Sequence, residues 1–307
     1  MSGSSAQLST QTGAGTTAAQ SADPRALWND ILTRGTSLKP TEAVIQELMT
    51  YSGLPEDEVR YTAANSQKIT EQKWAEADRT TPEGLRAFYD SVTNWVFGTL
   101  SYHARQAEGD LAILPVDAAT AVAGRKPGDH LDFGAGVSTA VLLFDRLGWR
   151  STASDVAAPL LNFSRWRFQQ NSVDAKLIDL KSEAIPKNSY DLITAFNTMA
   201  HVDDMAKTVR ELHAALRPGG LLIFDIDNRK KSTTDQWFLY EDQYAIVRLM
   251  RRTGFSTPSR LGMLYIYERV ERSALQRQIY ALYDGLRYNG VATWIGKKLR
   301  ALKGKRA

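Results

Sequence analysis

The stretch "GDHLDFGAGVST", residues 128–139, decides which fold the sequence predicts. A short apolar run ends in Asp132, two glycines follow one residue apart, and Ser138-Thr139 opens a new apolar pattern. Because glycine lacks a Cβ, the chain can turn tightly there and its backbone can approach a bound molecule. A helix that begins near Thr139 would point its first amides at that molecule. The stretch therefore predicts a strand, a binding turn and a helix in succession.

From about residue 126 the sequence alternates strand-like and helical segments. The strand-like segments are "HLDF", "RSTASD", "AKLIDL", "YDLITAFN", "LLIFDID" and "RLGMLYIYERV". The segment "MAKTVRELHAALRPGG" reads as a helix that ends at Pro-Gly-Gly. This alternation favours an α/β fold with a Rossmann-like doubly wound sheet, mostly parallel and with right-handed crossovers. We expect this domain to span residues 111–270 and its last strand to be antiparallel.

The residues before this domain predict a helical cap, or lid, over residues 23–110. Asp23-Pro24 has the form of an N-cap followed by proline at the first helical position. The strongest pattern begins at Thr81-Pro82 and runs as one helix, with an aromatic stripe at a spacing of 3.6 residues as far as residue 100. That stripe is typical of a helix packed on a core, and part of it could line a pocket.

Two terminal segments differ in composition from the rest. Residues 1–22 carry no charged side chain and few apolar ones, which predicts a disordered tail and resembles neither a signal nor a transit peptide. Residues 271–307 predict a helical segment that is basic at its end. Residues 291–306 combine an apolar stripe with basic side chains. The sequence leaves open whether they make a peripheral membrane contact or pack on the sheet.

Composition excludes several classes of protein. The chain is 43% hydrophobic and 23% charged, as in soluble globular proteins, and no run of 18 apolar residues suggests a membrane span. The absence of cysteine excludes disulfides, thiolate metal sites and cysteine nucleophiles, and is compatible with the cytoplasm. The net charge of +4 arises from residues 297–306, which hold six basic groups and no acid. Such a distribution disfavours nucleic acid as a partner.

The segment "LDFGAGVST" resembles the first motif of the class I S-adenosylmethionine (SAM)-dependent methyltransferases. The later segments "ASD", "LIDLKSEAIPKNSYDLITAFNTMAHV" and "ELHAALRPGGLLIFDI" agree with that family in order and spacing. They are similar to the small-molecule methyltransferases of the ubiquinone/menaquinone type. Ser138 stands near the place of the third glycine of a dinucleotide site, which disfavours that alternative. The resemblance implies SAM as cofactor and methyl transfer to O, N or C of a small, partly apolar metabolite.

The same resemblance implies a role for each matching residue. Asp132 and the glycine turn would contact the methionine part of SAM, and Asp155 would accept hydrogen bonds from the ribose hydroxyls. Three further residues would lie near the adenine, and two would lie under the methyl sulfonium. The implied cofactor residues are Asp132, Gly134, Ala135, Gly136, Thr139, Asp155, then Val156, Asp179 and Leu180 for the adenine, and Phe196 and Asn197 for the sulfonium.

Methyl transfer depends mainly on positioning, and a general base is needed only when the acceptor atom carries a proton. His201, which the resemblance places facing the acceptor, and His103, at the end of the aromatic helix, are the candidate bases. Either could instead pack structurally, as we expect for His130 and His213. Aromatic residues would line the acceptor pocket. They are Tyr89, Trp95 and Tyr102 from the cap, and Trp237, Phe238 and Tyr240 after the fifth strand.

No metal is predicted. Asp227-Asn228 resembles half of the Mg²⁺ site of catechol-type O-methyltransferases, but the sequence lacks the partner acid expected after the fourth strand. Two other functions stay open: a SAM-binding regulatory or scaffold protein without turnover, and an RNA methyltransferase guided by the basic tail. The sequence does not determine the number of subunits.

Overall fold

A computed structural model describes residues 22–109, 111–202, 204–226 and 243–288 of the chain. The strands in these ranges are β1 Asp129–Phe133, β2 Arg150–Asp155, β3 Lys176–Asp179, β4 Tyr190–Ala195, β5 Leu216–Asp225, β6 Ser259–Leu261 and β7 Leu264–Glu268. They form one sheet in the order β3-β2-β1-β4-β5-β7-β6. Strands β1 to β5 are parallel, and β7 runs antiparallel to both β5 and β6. The predicted Rossmann-like α/β fold is confirmed.

The strand order reverses at β1, which lies between β2 and β4. Connections on either side of such a point leave the sheet in opposite directions, so a crevice opens beyond the carboxyl ends of the strands. The glycine turn at residues 134–136 directly follows β1. The fold thus places the turn at the edge of the sheet where ligands bind.

Two boundaries in the second half of the sheet differ from the sequence prediction. The helix before Pro-Gly-Gly ends at Ala215, and β5 already contains those three residues. Gly219 donates to Arg269 O and Arg269 donates back to Gly220 O, so pairing with the chain beyond β7 holds this segment in the sheet. The predicted last strand is a hairpin of β6 and β7, which turns at Gly262 with a φ of +56°.

The cap comprises α1 Pro24–Thr33, α2 Pro40–Ser52, α3 Glu56–Glu76, α4 Pro82–Ser91 and α5 Asn94–Glu108. The predicted N-cap at Asp23 is confirmed, since its carboxylate accepts from the amides of Arg25 and Ala26. The aromatic helix, predicted as one, is two helices. Buried Asn94 donates to Ser66 O and to Thr70 Oγ1 of α3, which fixes α5 on α3 and interrupts the helix between Ser91 and Asn94.

The other helices are α6 Leu114–Ala121, which the sequence did not reveal, α7 Thr139–Arg146, α8 Ala158–Asn171, α9 Met205–Ala215, α10 Gln243–Thr253 and α11 Ala274–Tyr288. A 3₁₀ turn spans Met199–His201. One hydrophobic core joins the cap to α7, α8 and one face of the sheet, and a second joins α9 and α10 to the other face. No helix among the described residues is long and apolar enough to cross a bilayer.

Candidate active site

The glycine turn uses backbone conformations that favour glycine. Gly134, Gly136 and Ser138 all have positive φ, at +72°, +54° and +56°. A Cβ on Gly134 would lie 2.3 Å from Thr198 Cγ2, so no other residue fits there without displacing Thr198. A Cβ on Gly136 would approach only Thr99 Cγ2, at 3.9 Å. The backbone at Gly136 is therefore open toward α5.

Asp155, at the end of β2, holds this turn in place. Its Oδ2 accepts from Gly136 N at 2.9 Å, and its Oδ1 accepts from Ala157 N at 2.9 Å. The side chain is buried, and burial raises the pKa of its carboxyl although the backbone amides act in the opposite direction. A carboxylate has about four acceptor sites, so these amides do not exhaust its capacity to accept from a ligand. The bracing of the turn is a role that the sequence did not reveal.

Asp132, at the end of β1, is buried beside Asp155. Thr194 Oγ1 of β4 donates to its Oδ1 at 2.6 Å. Burial raises the pKa of the Asp132 carboxyl to about 7, against the hydrogen bond from Thr194, and the charge of Asp155 adds to the rise. This carboxyl therefore titrates near neutral pH, where a cationic ligand would stabilise its ionised form.

His130 supports Asp132 from inside the sheet. Its Nε2 lies 2.9 Å from Thr194 Oγ1, and its Nδ1 lies 3.0 Å from Ser151 Oγ. Because Thr194 donates its proton to Asp132, it must accept from Nε2–H, and Nδ1 then accepts from Ser151. Burial lowers the pKa of His130 to about 3, which keeps the ring neutral. The four side chains form one directed chain of hydrogen bonds ending at Asp132.

A buried ion pair lies behind the turn. Arg167 of α8 and Glu47 of α2 are 0% and 1% exposed, and Arg167 Nε donates to Glu47 Oε1 at 2.8 Å. Arg167 Nη1 also donates to Val137 O at 3.0 Å and to Thr139 Oγ1 at 2.7 Å. One cap helix is thus connected through a single guanidinium to the glycine turn.

His103 of α5 stands at the end of this network. Its Nδ1 lies 3.0 Å from Thr139 Oγ1, and its ring meets Trp28 edge-on with centroids 5.1 Å apart. Burial, with a smaller effect from the charge of Arg167, lowers the pKa of His103 to about 3. The imidazole is therefore neutral and weakly basic near pH 7.

A cleft of about 1660 Å³ opens over the strand ends and reaches the cap. Most of the residues predicted for cofactor, catalysis and substrate line it together. They are Asp132, Gly134, Ala135, Gly136, Asp155, Val156, Leu180, Phe196, Asn197, His201, His103, Tyr89, Trp95 and Tyr102.

The comparisons with known proteins identify a family for this chain. The family model described as "Methyltransferase domain" matches residues 104–257, half of the chain. The chain belongs to the methyltransferase-domain family. The prediction of a methyltransferase domain is thereby confirmed.

Individual methyltransferases are similar to this chain over part of their length. The malonyl-[acyl-carrier protein] O-methyltransferase of Acetivibrio thermocellus is 34% identical over 31% of this chain and 34% of its own. The ubiquinone biosynthesis O-methyltransferase of Methylobacterium sp. is 32% identical over 32% and 41%. Among solved structures, the 1,6-didemethyltoxoflavin-N1-methyltransferase of Burkholderia thailandensis is 19% identical over 64% of this chain and 93% of its own, with a TM-score of 0.45. The chain spans between a third and about two fifths of the curated relatives' length.

The strand ends of this family member fit SAM, which carries a positive sulfonium, an amino group and a ribose diol. Asp132, Asp155 and Asp225 place three buried carboxyls along the cleft, at the ends of β1, β2 and β5. Asp225 accepts from Asn197 N at 2.7 Å. The sequence did not identify it as a candidate site residue. In the described part of the chain no group of three or more His, Cys, Asp or Glu residues could hold a metal ion.

Two predicted cofactor residues of this family member do not line the cleft. Thr139 is fully buried, and its hydroxyl is engaged by Arg167 and His103 behind the turn, so its side chain does not face a ligand. Asp179 is paired in register with Asp155, and its Oδ1 accepts from Lys181 N at 2.9 Å, which directs it into its own loop. Its neighbour Leu180 reaches the cleft instead.

The remaining predicted residues lie at the cleft, outside the described residues, or away from the site. His201 closes the 3₁₀ turn after β4, where it is half-buried and lines the cleft opposite the cap. Trp237, Phe238 and Tyr240, predicted as a second aromatic wall, and Asp227-Asn228 lie outside the described residues. His213 packs edge-on against Phe255, away from the site, as a structural residue would.

Proposed function

We propose that the protein transfers the methyl group of SAM to O, N or C of a small, partly apolar molecule bound in the same cleft. One observation carries this proposal: the glycine turn with its buried acids and the aromatic side chains of the cap open into a single space. Tyr89 of α4 and Trp95 and Tyr102 of α5 face the strand ends across it. Its volume, about 1660 Å³, exceeds the roughly 300–1,000 Å³ of a typical small-ligand site, which leaves room for an acceptor beside a cofactor.

Bound SAM would supply an electrophilic methyl group on a positively charged sulfur. The chain's own residues would mainly position the reactants. Asp132 and Asp155 would bind the polar groups of the cofactor, and the glycine turn would admit it close to the backbone. The cap aromatics would exclude water and orient the apolar part of the acceptor. The names of the curated relatives support a small or carrier-bound acceptor.

We assign proton removal, for acceptors that carry a proton, to His201. A general base is most effective when its pKa lies near the working pH. His103 has a pKa lowered to about 3, and its Nδ1 is engaged with Thr139, so it is a poor base. We propose that His103 instead forms part of the cleft wall.

The test combines cofactor binding with turnover. Purified protein is incubated with radiolabelled SAM and fractions of a metabolite extract, and both S-adenosylhomocysteine and labelled small molecules are measured. Charged hydrogen bonds to a ligand are worth roughly 1.5–3 kcal/mol, so Asp155→Ala should weaken SAM binding about 10- to 100-fold by calorimetry. The matched control is Asp174→Ala, at an exposed acid in the loop before β3.

Each result bears on a different alternative. A labelled small molecule formed by the wild type and lost in Asp155→Ala supports the proposal. Tight SAM binding with no product from any fraction would favour a regulatory or scaffold protein. Label that appears only in added RNA, and disappears when the chain ends at residue 296, would favour RNA methylation.

A further inference from the structure

A row of aliphatic side chains on α11 faces solvent. Leu275, Ile279 and Leu282 are 66%, 55% and 66% exposed. They recur at spacings of four and three residues, so they share one side of the helix. We call these three side chains the aliphatic face of α11. Exposed leucines are common singly, but a contiguous row on one helix marks an interaction surface.

Aromatic side chains on an adjacent side of α11 seat the helix on the protein. Arg251 of α10 lies over the rings of Tyr280 and Tyr283, with its guanidinium 5.9 and 5.7 Å from their centroids. Arg272 lies over Tyr280 at 4.4 Å and donates to Arg251 O. These contacts fix the orientation of α11, and with it the outward direction of the aliphatic face.

The segment that carries this face is strongly basic. Residues 243–288 hold eight basic and three acidic side chains, and residues 289–307 add six basic ones and no acid. Since the whole chain has a net charge of only +4, the rest of it is net negative. Positive charge is therefore concentrated in the stretch of sequence that includes α11.

We propose that the aliphatic face of α11 docks on the surface of an anionic lipid bilayer. An exposed apolar row in a strongly basic segment suits the boundary of a bilayer, where the row would meet acyl chains and the basic residues of the segment would meet anionic headgroups. The sequence suggested such a contact for residues 291–306 alone. The exposed aliphatic face adds α11, a helix that is packed on the protein, to the proposed membrane contact.

Three other partners for the aliphatic face fit less well: a second copy of the chain, residues 291–306 of the same chain, and a nucleic acid. A second copy docking through this face in a symmetric dimer would bring two copies of the same net-positive segment together. Residues 291–306, folded back over the face, would add their basic side chains to the same surface. A nucleic acid would satisfy the charge but would offer nothing to an aliphatic row, since single strands are bound by aromatic stacking.

The test uses the full chain and two kinds of vesicle. Vesicles of equal parts phosphatidylcholine and phosphatidylglycerol should sediment the protein at low ionic strength, and pure phosphatidylcholine vesicles should not. Leu275→Ser/Ile279→Ser/Leu282→Ser should weaken binding by at least about tenfold, because the apolar part of the contact is lost. The matched control is Tyr61→Ser/Leu111→Ser, which removes side chains that are 65% and 56% exposed elsewhere, and it should bind like the wild type.

A shortened chain separates the helix from the tail. A protein that ends at Tyr288 should still bind the anionic vesicles more tightly than the same shortened protein carrying the three serines. All variants should keep the melting temperature of their parent, because the changed side chains are exposed.

Each of the following results would overturn the proposal: no sedimentation of the wild type, equal binding of the wild type and the triple-serine chain, equal binding to both kinds of vesicle, or preferential binding to RNA or DNA. A dimer in sedimentation velocity that the three serines dissociate, without any vesicle binding, would assign the face to a second copy and overturn it too.

Discussion

Asp132 combines burial with a position at the ligand edge of the sheet. Its pKa is raised to about 7, well above the value of about 3.9 expected in the unfolded chain. The folded state therefore binds this proton more tightly. The stabilising effect is complete below pH 4 and is lost as the pH rises toward 7. The affinity for a cationic ligand should instead increase as the pH rises toward 7, because such a ligand needs the ionised carboxylate of Asp132.

We predict that Asp132→Asn separates these two effects. Between pH 5.5 and 8 the free energy of unfolding of the ligand-free wild type should fall relative to that of the variant, which has no carboxyl to ionise at this position. Over the same range wild-type affinity for SAM should rise, and that of the variant should stay low and flat. Denaturant unfolding and calorimetry at several pH values measure both. Parallel pH profiles for the two proteins would refute the assignment.

The hydroxyl of Thr194 lies between His130 and Asp132 and is hydrogen-bonded to both side chains. Thr194 is therefore the second residue to test. Thr194→Val leaves the buried Nε2–H of His130 without an acceptor, which costs about 1–3 kcal/mol of stability. It also removes the donor to Asp132, so SAM affinity should fall. Thr194→Ser keeps the hydroxyl and should retain most of the affinity. If valine and serine variants bind SAM equally, the hydrogen-bond chain has no part in cofactor binding.

At the scale of elements, the buried pair of Glu47 and Arg167 joins α2 to α8 and the glycine turn. Removing one partner of such a pair leaves a charge without compensation and costs about 3–5 kcal/mol. We predict this loss for Glu47→Ala in denaturant unfolding. The double variant Glu47→Leu/Arg167→Met should regain part of it, because no buried charge remains.

The same helix supplies the control. Glu42 of α2 pairs with Arg60 at 2.5 Å, but both side chains are more than 40% exposed. Exposed pairs contribute little, so Glu42→Ala should change stability far less than Glu47→Ala. Comparable losses in the two variants would mean that helix α2 itself, and not the buried charge, determines the effect.

At the scale of the whole molecule, the cap and the sheet share one hydrophobic core. Trp28 and Leu48 of the cap belong to the same buried cluster as Phe144 and Phe163 of the helices on the sheet. We predict that a chain lacking residues 1–22 keeps its melting temperature and its SAM affinity. A chain lacking residues 1–106 should be insoluble or inactive, because the face that the cap covers would be exposed. A soluble, fully active product of that deletion would contradict a shared core.

The sequence by itself determined the features that depend on neighbouring residues. The glycine turn, the N-cap at Asp23 and the alternation of strands and helices all follow from local backbone preferences and side-chain periodicity. These signals are contained within short stretches of sequence. The sequence also placed His130 and Asp132 two residues apart on β1, on one side of the strand. It did not show that Thr194 would join them.

Only the tertiary structure decided which distant side chains meet. Strand register brings Thr194 of β4 beside Asp132, 62 residues away, and helix packing brings Glu47 to Arg167, 120 residues away. The contact of Asn94 with α3 divides the aromatic helix, and the burial of Thr139 removes its hydroxyl from the cleft. Such pairings depend on how whole elements pack against one another, and no short stretch of sequence carries that information.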